Sequence, residues 1–554
     1  MNRIFRSAFV LLLFEIGAAD NGLHFVNVTK ENGIAFTHKN GMKGHNWIAE
    51  TVGSGVGLFD LNGDGWRDIW LVQSGIFDRS GDMVTPTISD RIFLSTLVDG
   101  KRKYVDVTLE SGVSAPEYGM GIAAGDIDND GDIDIFLANY GQNQLYENKG
   151  KGMFKEVLLP AISEPREWSV SASFVDVDQD GLLDLYVANY LEFSLTNHKD
   201  CRDIAGRSTY CTPETYRYVP DRLYRNEYTK TNGVNFEEVT DSGIRLKSGP
   251  ALGVVSEDFN QDGRVDIYLA NDGAPNFLWL NETDEKKRIR FRDAGTELFV
   301  ALNGNGAPEA GMGIAAEDFD HDCDVDIFVT HLTTETNTLY RNEGKWFYDA
   351  TNESGLAASS APFTGFGVGW IDFDNDGDLD IFSGNGAVFP IPELRAEDHP
   401  YPLIQRNQLW VNVGNGKYQE VKIPDMQDEK VSRGVAFGDL DNDGDVDIVV
   451  NNNQGEAQIW RNDSKRNNWI GIELIDPNGP EFGSKVHLLP DVCRAQRIAS
   501  DGSFASASDQ RVIFGLGRDD GWPEILVHWA DGKQEVFGPL EINQYHQLSR
   551  QETR

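Results

Sequence analysis

The 554-residue chain carries 89 Asp and Glu against 49 Lys and Arg, a formal net charge of −40 at pH 7. That balance excludes nucleic acid and an anionic membrane surface as partners, because both are bound through clustered Lys and Arg. With 40% hydrophobic and 11% aromatic residues the chain is not a disordered acidic polymer, so its carboxylates either coat a folded surface or hold cations.

The N-terminus reads as an export signal. Arg3 and Arg6 precede the apolar run AFVLLLF at 8–14, which Glu15 ends, and Gly17-Ala18-Ala19 offers a small-residue cleavage site. Residues 1–19 are therefore assigned to the signal, and the mature chain starts at Asp20. The run is too short to span a bilayer and no later segment is long enough, which argues against direct membrane insertion. An exported chain permits disulfides. Cys201 and Cys211 flank one short polar loop and read as a bridge, whereas Cys323 and Cys493 are left as a cross-domain pair or as two buried thiols.

One segment, D-x-[DN]-x-D-G-x-x-D, recurs seven times. It starts at Asp60 (DLNGDGWRD), Asp126 (DIDNDGDID), Asp176 (DVDQDGLLD), Asp258 (DFNQDGRVD), Asp318 (DFDHDCDVD), Asp372 (DFDNDGDLD) and Asp439 (DLDNDGDVD). A small, glycine-rich apolar strand precedes each copy, as in GVGLFD, GMGIAAGD and GFGVGWID, and an Ile- or Leu-led run such as DIFLANY follows. Next stands an L-[YW]-x-N strand in copies 2 to 6, at Leu145, Leu223, Leu278, Leu339 and Leu409. Ile459-Trp460 replaces it in copy 7, and copy 1 has a degenerate version near Ile92-Phe93. An aromatic-led strand closes the set, with copies from Phe25, Tyr104, Phe154, Phe236, Phe291, Phe347 and Tyr418. Four short strands per period, seven times over, predict an all-β, seven-bladed β-propeller across residues 20–462. Insertions at 191–220 and 383–407 stretch two periods. The phasing leaves the last period without an aromatic-led strand of its own, so the strand at Phe25 is expected to complete the seventh blade and close the ring. The glycines suit the innermost strand, where neighbouring blades crowd the axis.

The loops predict calcium. Their ligand positions 1, 3, 5 and 9 are Asp60, Asn62, Asp64 and Asp68; Asp126, Asp128, Asp130 and Asp134; Asp176, Asp178, Asp180 and Asp184; Asp258, Asn260, Asp262 and Asp266; Asp318, Asp320, Asp322 and Asp326; Asp372, Asp374, Asp376 and Asp380; and Asp439, Asp441, Asp443 and Asp447. Side-chain oxygens converging in a tight loop are hard ligands, suited to Ca2+ rather than zinc, and about seven ions per chain are expected. Two such carboxylates about 4 Å apart repel by roughly 4 kcal/mol at an effective dielectric near 20, so a bound cation is the natural neutraliser. An EF-hand is excluded, because position 12 is apolar or small and lies in a strand. The fifth loop departs from the pattern: Cys323 stands where the others have glycine, and is expected to strain a left-handed turn. His321 beside it reads as exposed filler.

The loops and their flanking strands resemble the FG-GAP or VCBS repeat class, and Asp-rich loops of this form are also found in integrin α-chain propellers. After the polar stretch DSKRNN from Asp463, several short strands predict a small all-β domain over residues 463–554. Phe514-Gly515-Leu516-Gly517, Trp529-Ala530-Asp531-Gly532 and Asn543-Gln544 resemble the ASPIC/UnbV domain that follows such repeats in the cartilage acidic protein family. The absence of an EGF-like cysteine module resembles the shorter, often bacterial, members. The resemblance implies an exported calcium-binding protein with matrix or cell-surface associations and no known enzymatic chemistry.

No nucleophile elbow, P-loop or dinucleotide fingerprint appears, and no acid pair stands out as a catalytic dyad. The reading is of a secreted binding, adhesion or matrix-associated protein, periplasmic or at the cell surface in a bacterium, with an extracellular protein or glycan partner. The alternative is a propeller enzyme acting on polysaccharide, a lyase or glycosidase, whose mark would be polar residues gathered at the axial opening. His38 and His45, near Trp47 and Glu50, read as loop residues, and Arg166-Glu167-Trp168 as packing near the axis.

Overall fold

The computed structural model describes residues 22–77, 83–84, 89–465, 467–475 and 482–550. The export segment read in residues 1–19 lies outside them. Each period of the sequence forms one four-stranded antiparallel sheet, and the chain runs from the glycine-rich strand outward. Blade 1 consists of Val56–Phe59, Asp68–Leu71, Arg91–Val98 and Lys101–Asp106, and blade 2 of Tyr118–Gly125, Asp134–Tyr140, Gln144–Asn148 and Phe154–Glu156. Blades 3 to 6 repeat the plan, with inner strands Ser169–Val175, Ala251–Glu257, Ile314–Glu317 and Gly365–Ile371. Blade 7 takes three strands, Ser432–Gly438, Asp447–Asn452 and Gln458–Asn462, from its own period. Its outer strand is Phe25–Asn27, which pairs antiparallel with the third, Phe25 opposite Asn462 and Asn27 opposite Trp460. The inner strands touch one another in cyclic order from blade 1 to blade 7 and back to blade 1, so the sheets form a closed β-propeller.

The inner glycines are required by close approach, not by turn geometry. A Cβ on Gly313 would lie 1.9 Å from the carbonyl oxygen of Phe366 in the next blade. One on Gly55 would lie 2.0 Å from the carbonyl oxygen of Ala505, which belongs to the C-terminal part of the chain. Between blades the packing is apolar and aromatic. At the junction of blades 5 and 6, Phe319 stacks on Trp370 with ring centroids 5.5 Å apart, and Trp370 Nε1 donates to Tyr418 Oη at 2.9 Å.

The C-terminal module holds two sheets around a core that includes Ile470, Ile472, Val486, Phe514, Ile525 and Trp529. In one, Asn468–Ile475 pairs antiparallel with Val512–Gly517 and parallel with Tyr545–Ser549. The other runs Ala495–Arg497, Lys485–Leu489, Glu524–His528, Gln534–Phe537. The module docks on the propeller. Between its two sheets, residues 500–509 enter the axis and bond to the inner strands of all seven blades, at Val56, Ile122, Ser171, Ser256, Ile314, Val368 and Phe437 among others.

Both cysteine pairs are bonded. Cys201–Cys211 closes the insertion after blade 3's second strand, as its spacing predicts, and Cys323–Cys493 joins the fifth Asp-rich loop to the C-terminal module. His38 lies in a loop, as the sequence reading has it, but its ring is not at the surface. It is buried, accepts from the backbone N–H of Gln454 at 3.1 Å, and lies 3.0 Å from Ser74 Oγ, so it joins blade 7 to blade 1. Burial pushes its pKa down to about 3. Trp168 packs edge-on against Tyr190 and Tyr140, as the packing reading predicts. Among the described residues no helix is long and apolar enough to cross a membrane.

Ring closure depends on a short outer strand with one deep anchor. Phe25 is fully buried, edge-on to Phe373 at 5.4 Å. Phe25→Ala is expected to cost about 3–5 kcal/mol of unfolding free energy in a urea titration. A loss under about 1 kcal/mol would mean that blade 7 closes without this strand.

Candidate metal centre

The Asp-rich loop joins the inner strand to the second strand in every blade, and its backbone is built on its own carboxylates. The first Asp accepts from the backbone N–H groups of positions 5 and 6 in all seven loops, at 2.6–3.1 Å. The fifth-position carboxylate accepts from the N–H of position 7, for example Asp130 from Asp132 at 3.0 Å. The ninth ties the loop to the sheet. Asp134 Oδ2 accepts from Ile127 N at 2.9 Å, and its Oδ1 from Asn148 N of the third strand at 2.7 Å. The third-strand bond recurs at Asp68, Asp184, Asp266, Asp326, Asp380 and Asp447.

With positions 1 and 9 so held, three carboxylates converge in five loops. The groups are Asp126, Asp128 and Asp134; Asp176, Asp178 and Asp184; Asp318, Asp320 and Asp326; Asp372, Asp374 and Asp376; and Asp439, Asp441 and Asp447, with one oxygen of each residue lying within 4.8 Å of the others. Asp130, Asp180, Asp322, Asp380 and Asp443 stand in the same loops outside those triads. Loops 1 and 4 have an amide at position 3. Asn62 Oδ1 accepts from Asp64 N and Asn260 Oδ1 from Asp262 N, both at 2.9 Å, beside Asp60, Asp68, Asp258 and Asp266.

These clusters fit a cation. Asp128 Oδ1, Asp178 Oδ1 and Asp320 Oδ1 are buried and accept no hydrogen bond in the structure. Such an oxygen, buried and unsatisfied, is costly unless something positive meets it. Protonation behaviour agrees. Burial, then neighbouring carboxylates against backbone bonds, pushes Asp126 and Asp441 up to about 7 and Asp128, Asp318 and Asp374 up to about 6. At the ninth position burial raises Asp68 and Asp266 to about 8, and Asp134, Asp184, Asp326, Asp380 and Asp447 well above the carboxylate range. Several Asp clusters could therefore hold metal ions, through oxygen donors only.

Comparison with known proteins agrees with this architecture. The FG-GAP-like repeat matches residues 126–187, 258–329, 318–383 and 401–450, and the ASPIC and UnbV domain matches residues 476–554. The chain carries FG-GAP-like repeats and an ASPIC and UnbV domain. It is 24% identical to mouse cartilage acidic protein 1 over 510 residues, covering 88% of this chain and 64% of that protein. It is 24% identical to the human protein over 487 residues, covering 86% and 60%. The chain thus spans about three fifths of the length of these curated relatives. A shorter stretch of 114 residues is 29% identical to chicken integrin alpha-6, covering 20% of this chain and 10% of that one.

Between FG-GAP-like repeats the loops are stapled to one another by residues that loop chemistry alone does not single out. In repeats 2 to 5 and 7 the Asn that ends the third strand donates through Nδ2 to the position-2 carbonyl of the preceding loop, whereas Asn412 in repeat 6 reaches only Leu379 O of its own loop. Asn226 reaches Ile127 O at 2.8 Å, Asn281 reaches Val177 O at 2.8 Å and Asn462 reaches Phe373 O at 2.9 Å. Position 4, in the left-handed region, reaches the position-6 carbonyl of the following loop. Asn129 donates to Gly181 O, Gln179 to Gly263 O, Gln261 to Cys323 O and Asn442 across the ring closure to Gly65 O. His321 occupies this position in loop 5, with Nε2 3.1 Å from Gly377 O, so it is an inter-blade link and not filler. Cys323 adopts φ 76°, yet its N–H still bonds Asp318 at 2.8 Å, so the loop keeps its shape. The signal for the staple was the Asn of the repeat, visible but without an assigned role. Arg225 and Arg341, just before that Asn in repeats 3 and 5, pair at 2.8 Å with Asp178 and Asp320.

Asn226→Ala strips a buried donor from two carbonyls, Ile127 O and Leu183 O. It is expected to cost about 2–3 kcal/mol by chemical denaturation. Asn412→Ala, whose amide reaches Leu379 O at 3.4 Å, should cost less. Equal, negligible losses would remove the staple from the account.

Proposed function

We propose that the chain is a secreted calcium-binding β-propeller that acts as an extracellular binding, adhesion or matrix-associated protein and does not catalyse a reaction. The convergence of three aspartates in each of five loops, with a buried carboxylate oxygen that accepts no hydrogen bond in three of them, carries the reading. All the donors are hard oxygens, which favours Ca2+ over softer metals. Asn62 and Asn260 supply an amide oxygen in loops 1 and 4, so the same chemistry extends to seven sites with positions 1, 3, 5 and 9 as ligands. The propeller is taken as residues 20–462 and the β module as 463–554.

Two disulfides support an oxidising compartment, and with the export signal read in residues 1–19 they support secretion, or a periplasmic or surface location in a bacterium. Likeness to cartilage acidic protein 1 and to part of an integrin alpha chain supports an extracellular protein or glycan as partner. A propeller enzyme would use the axial opening, and residues 500–509 fill the axis from the Asp-rich-loop end, which favours binding over catalysis.

Calcium at ten times each dissociation constant would stabilise the fold by about 1.4 kcal/mol per site, on the order of 10 kcal/mol for seven independent sites. Thermal melts of the mature protein in millimolar calcium and after exhaustive chelation, with bound metal counted by mass spectrometry, test this. The expected outcome is a large rise in melting temperature and about seven calcium ions. No rise and no bound metal would reduce the aspartates to acidic turns.

A single loop can be tested separately. Asp128→Ala removes one member of the second cluster and is expected to lower the count by one ion, with the other sites and the fold retained. An unchanged count would take this loop out of the calcium set.

A further inference from the structure

The inner strand of a propeller blade is a sheet edge, and its N–H and C=O groups face the axis. Buried groups of this kind need partners. Here the chain supplies them itself. Residues 500–509 (SDGSFASASD) form a loop that turns at Phe504 and Ala505 and whose backbone bonds to the inner edges of several blades. Ala507 N donates to Val56 O and Leu58 N donates to Ala507 O, both at 3.0 Å. Ile122 N donates to Ala505 O at 3.1 Å, Ser503 and Ile314 exchange both bonds at 2.6 and 2.9 Å, and Asp509 N donates to Phe437 O at 3.0 Å.

Side chains add selectivity. Phe504 is fully buried at the tip, edge-on to Phe366 at 4.8 Å and clustered with Met120, Val170, Leu252 and Met312 from four other blades. Asp501 Oδ2 accepts from Ser256 N at 3.0 Å and Ser173 Oγ at 2.6 Å, and its other oxygen pairs with Arg497. Ser503 Oγ accepts from Val368 N at 3.1 Å and donates to Val435 O at 2.8 Å. From Ala505 to Ser508 the side chains are small, because the backbone passes close to Gly55 and Gly434 there. Ser503 and Ala505 have φ of 56° and 51°, a conformation that non-glycine residues hold only where their surroundings dictate it.

We propose that the axial channel is a peptide-recognition site, occupied in cis by residues 500–509. The ligand class is a short peptide that turns at its aromatic anchor, with an acid three residues before that anchor and small residues after it. Recognition is by backbone hydrogen bonds to the inner edges of successive blades. The C-terminal module presents this ligand, and the Cys323–Cys493 bond holds it at an effective concentration no free peptide matches, on the order of millimolar or above. A free peptide of the same sequence therefore binds only when the cis segment is weakened.

The full-length chain, its Phe504→Ala variant and a fluorescent peptide of residues 499–510 test the site. In the wild type, hydrogen exchange is expected to protect the amides of Ser503, Ala505, Ala507 and Asp509, and the peptide is expected not to bind. In F504A, exchange there should quicken on the order of 100-fold, the peptide should bind, and a peptide carrying the same Phe→Ala change should not. If F504A fails to fold, Asp501→Asn takes its place with the same readouts. Wild-type amides exchanging at unstructured rates would overturn the proposal. So would unchanged exchange in the folded variant, or a folded variant with a released segment that binds no peptide at millimolar concentration.

Discussion

The ninth-position aspartate is the constraint on which each blade depends. Its carboxylate sits at the start of the second strand and accepts one backbone N–H from the third strand, as Asp134 does from Asn148. In most blades it accepts another from the loop behind it. A single acid thereby fixes where the inner strand stops, where the second begins and how the third registers against it. Such a group is buried among other carboxylates, and its charge is tolerable only if backbone dipoles and a cation share it. The fold has placed the dipoles, and the clustered oxygens could hold a cation that supplies the rest.

That local unit becomes a ring because each loop is also a partner for its neighbours. The third-strand Asn looks back to the preceding loop and the position-4 side chain looks forward to the next. Each loop's shape is thus set partly by the loops on either side. Loss of that third-strand Asn removes a bond to a backbone carbonyl of the adjacent blade as well as one within its own. The bond from Asn442 to Gly65 carries this linkage across the seam between the last blade and the first.

Repetition made the fold legible. Seven copies of one loop, each between a glycine-rich and an apolar strand, specified four-stranded blades and the closing role of Phe25 without any coordinates, and the structure has both. The 26 aspartates and two asparagines of the loops were equally plain as a pattern, since each copy lies within nine residues. What the sequence concealed involves partners far apart in the chain. His321 looked like filler because its partner, Gly377 O, is 56 residues away in the next blade. Cys323 and Cys493 could not be paired, because nothing local says that the module sits over loop 5. The serine- and alanine-rich stretch at 500–509 has the composition of a surface loop, and only the channel around it explains that composition.

The irregularities of the first repeat follow from the same docking. Position 8 of the loop is apolar in every other copy but is Arg67 in the first, and Arg67 is almost completely buried. Its guanidinium reaches Asp509 at 3.1 Å and Glu473 at 3.1 Å, both in the C-terminal module, while Arg511 reaches Asp509 from the other side at 2.7 Å. Burial alone would raise the Asp509 pKa, but the two arginines hold it below the usual range, so the carboxylate stays charged where the segment leaves the axis. Nearby, Tyr545 Oη donates to Asp439 Oδ2 at 2.8 Å, and Trp469 packs so closely on Gly444 that a Cβ there would lie 1.9 Å from its ring. The module therefore grips loops 1, 5 and 7 through an ion-paired network, a disulfide and a tyrosine bonded directly to a candidate ligand. A cation that draws Asp439 into its coordination sphere acts on the same carboxylate that Tyr545 holds. If loop 7 takes up the proposed ion, its loading and the seating of the module are parts of one equilibrium, in which each favours or opposes the other by the same free energy.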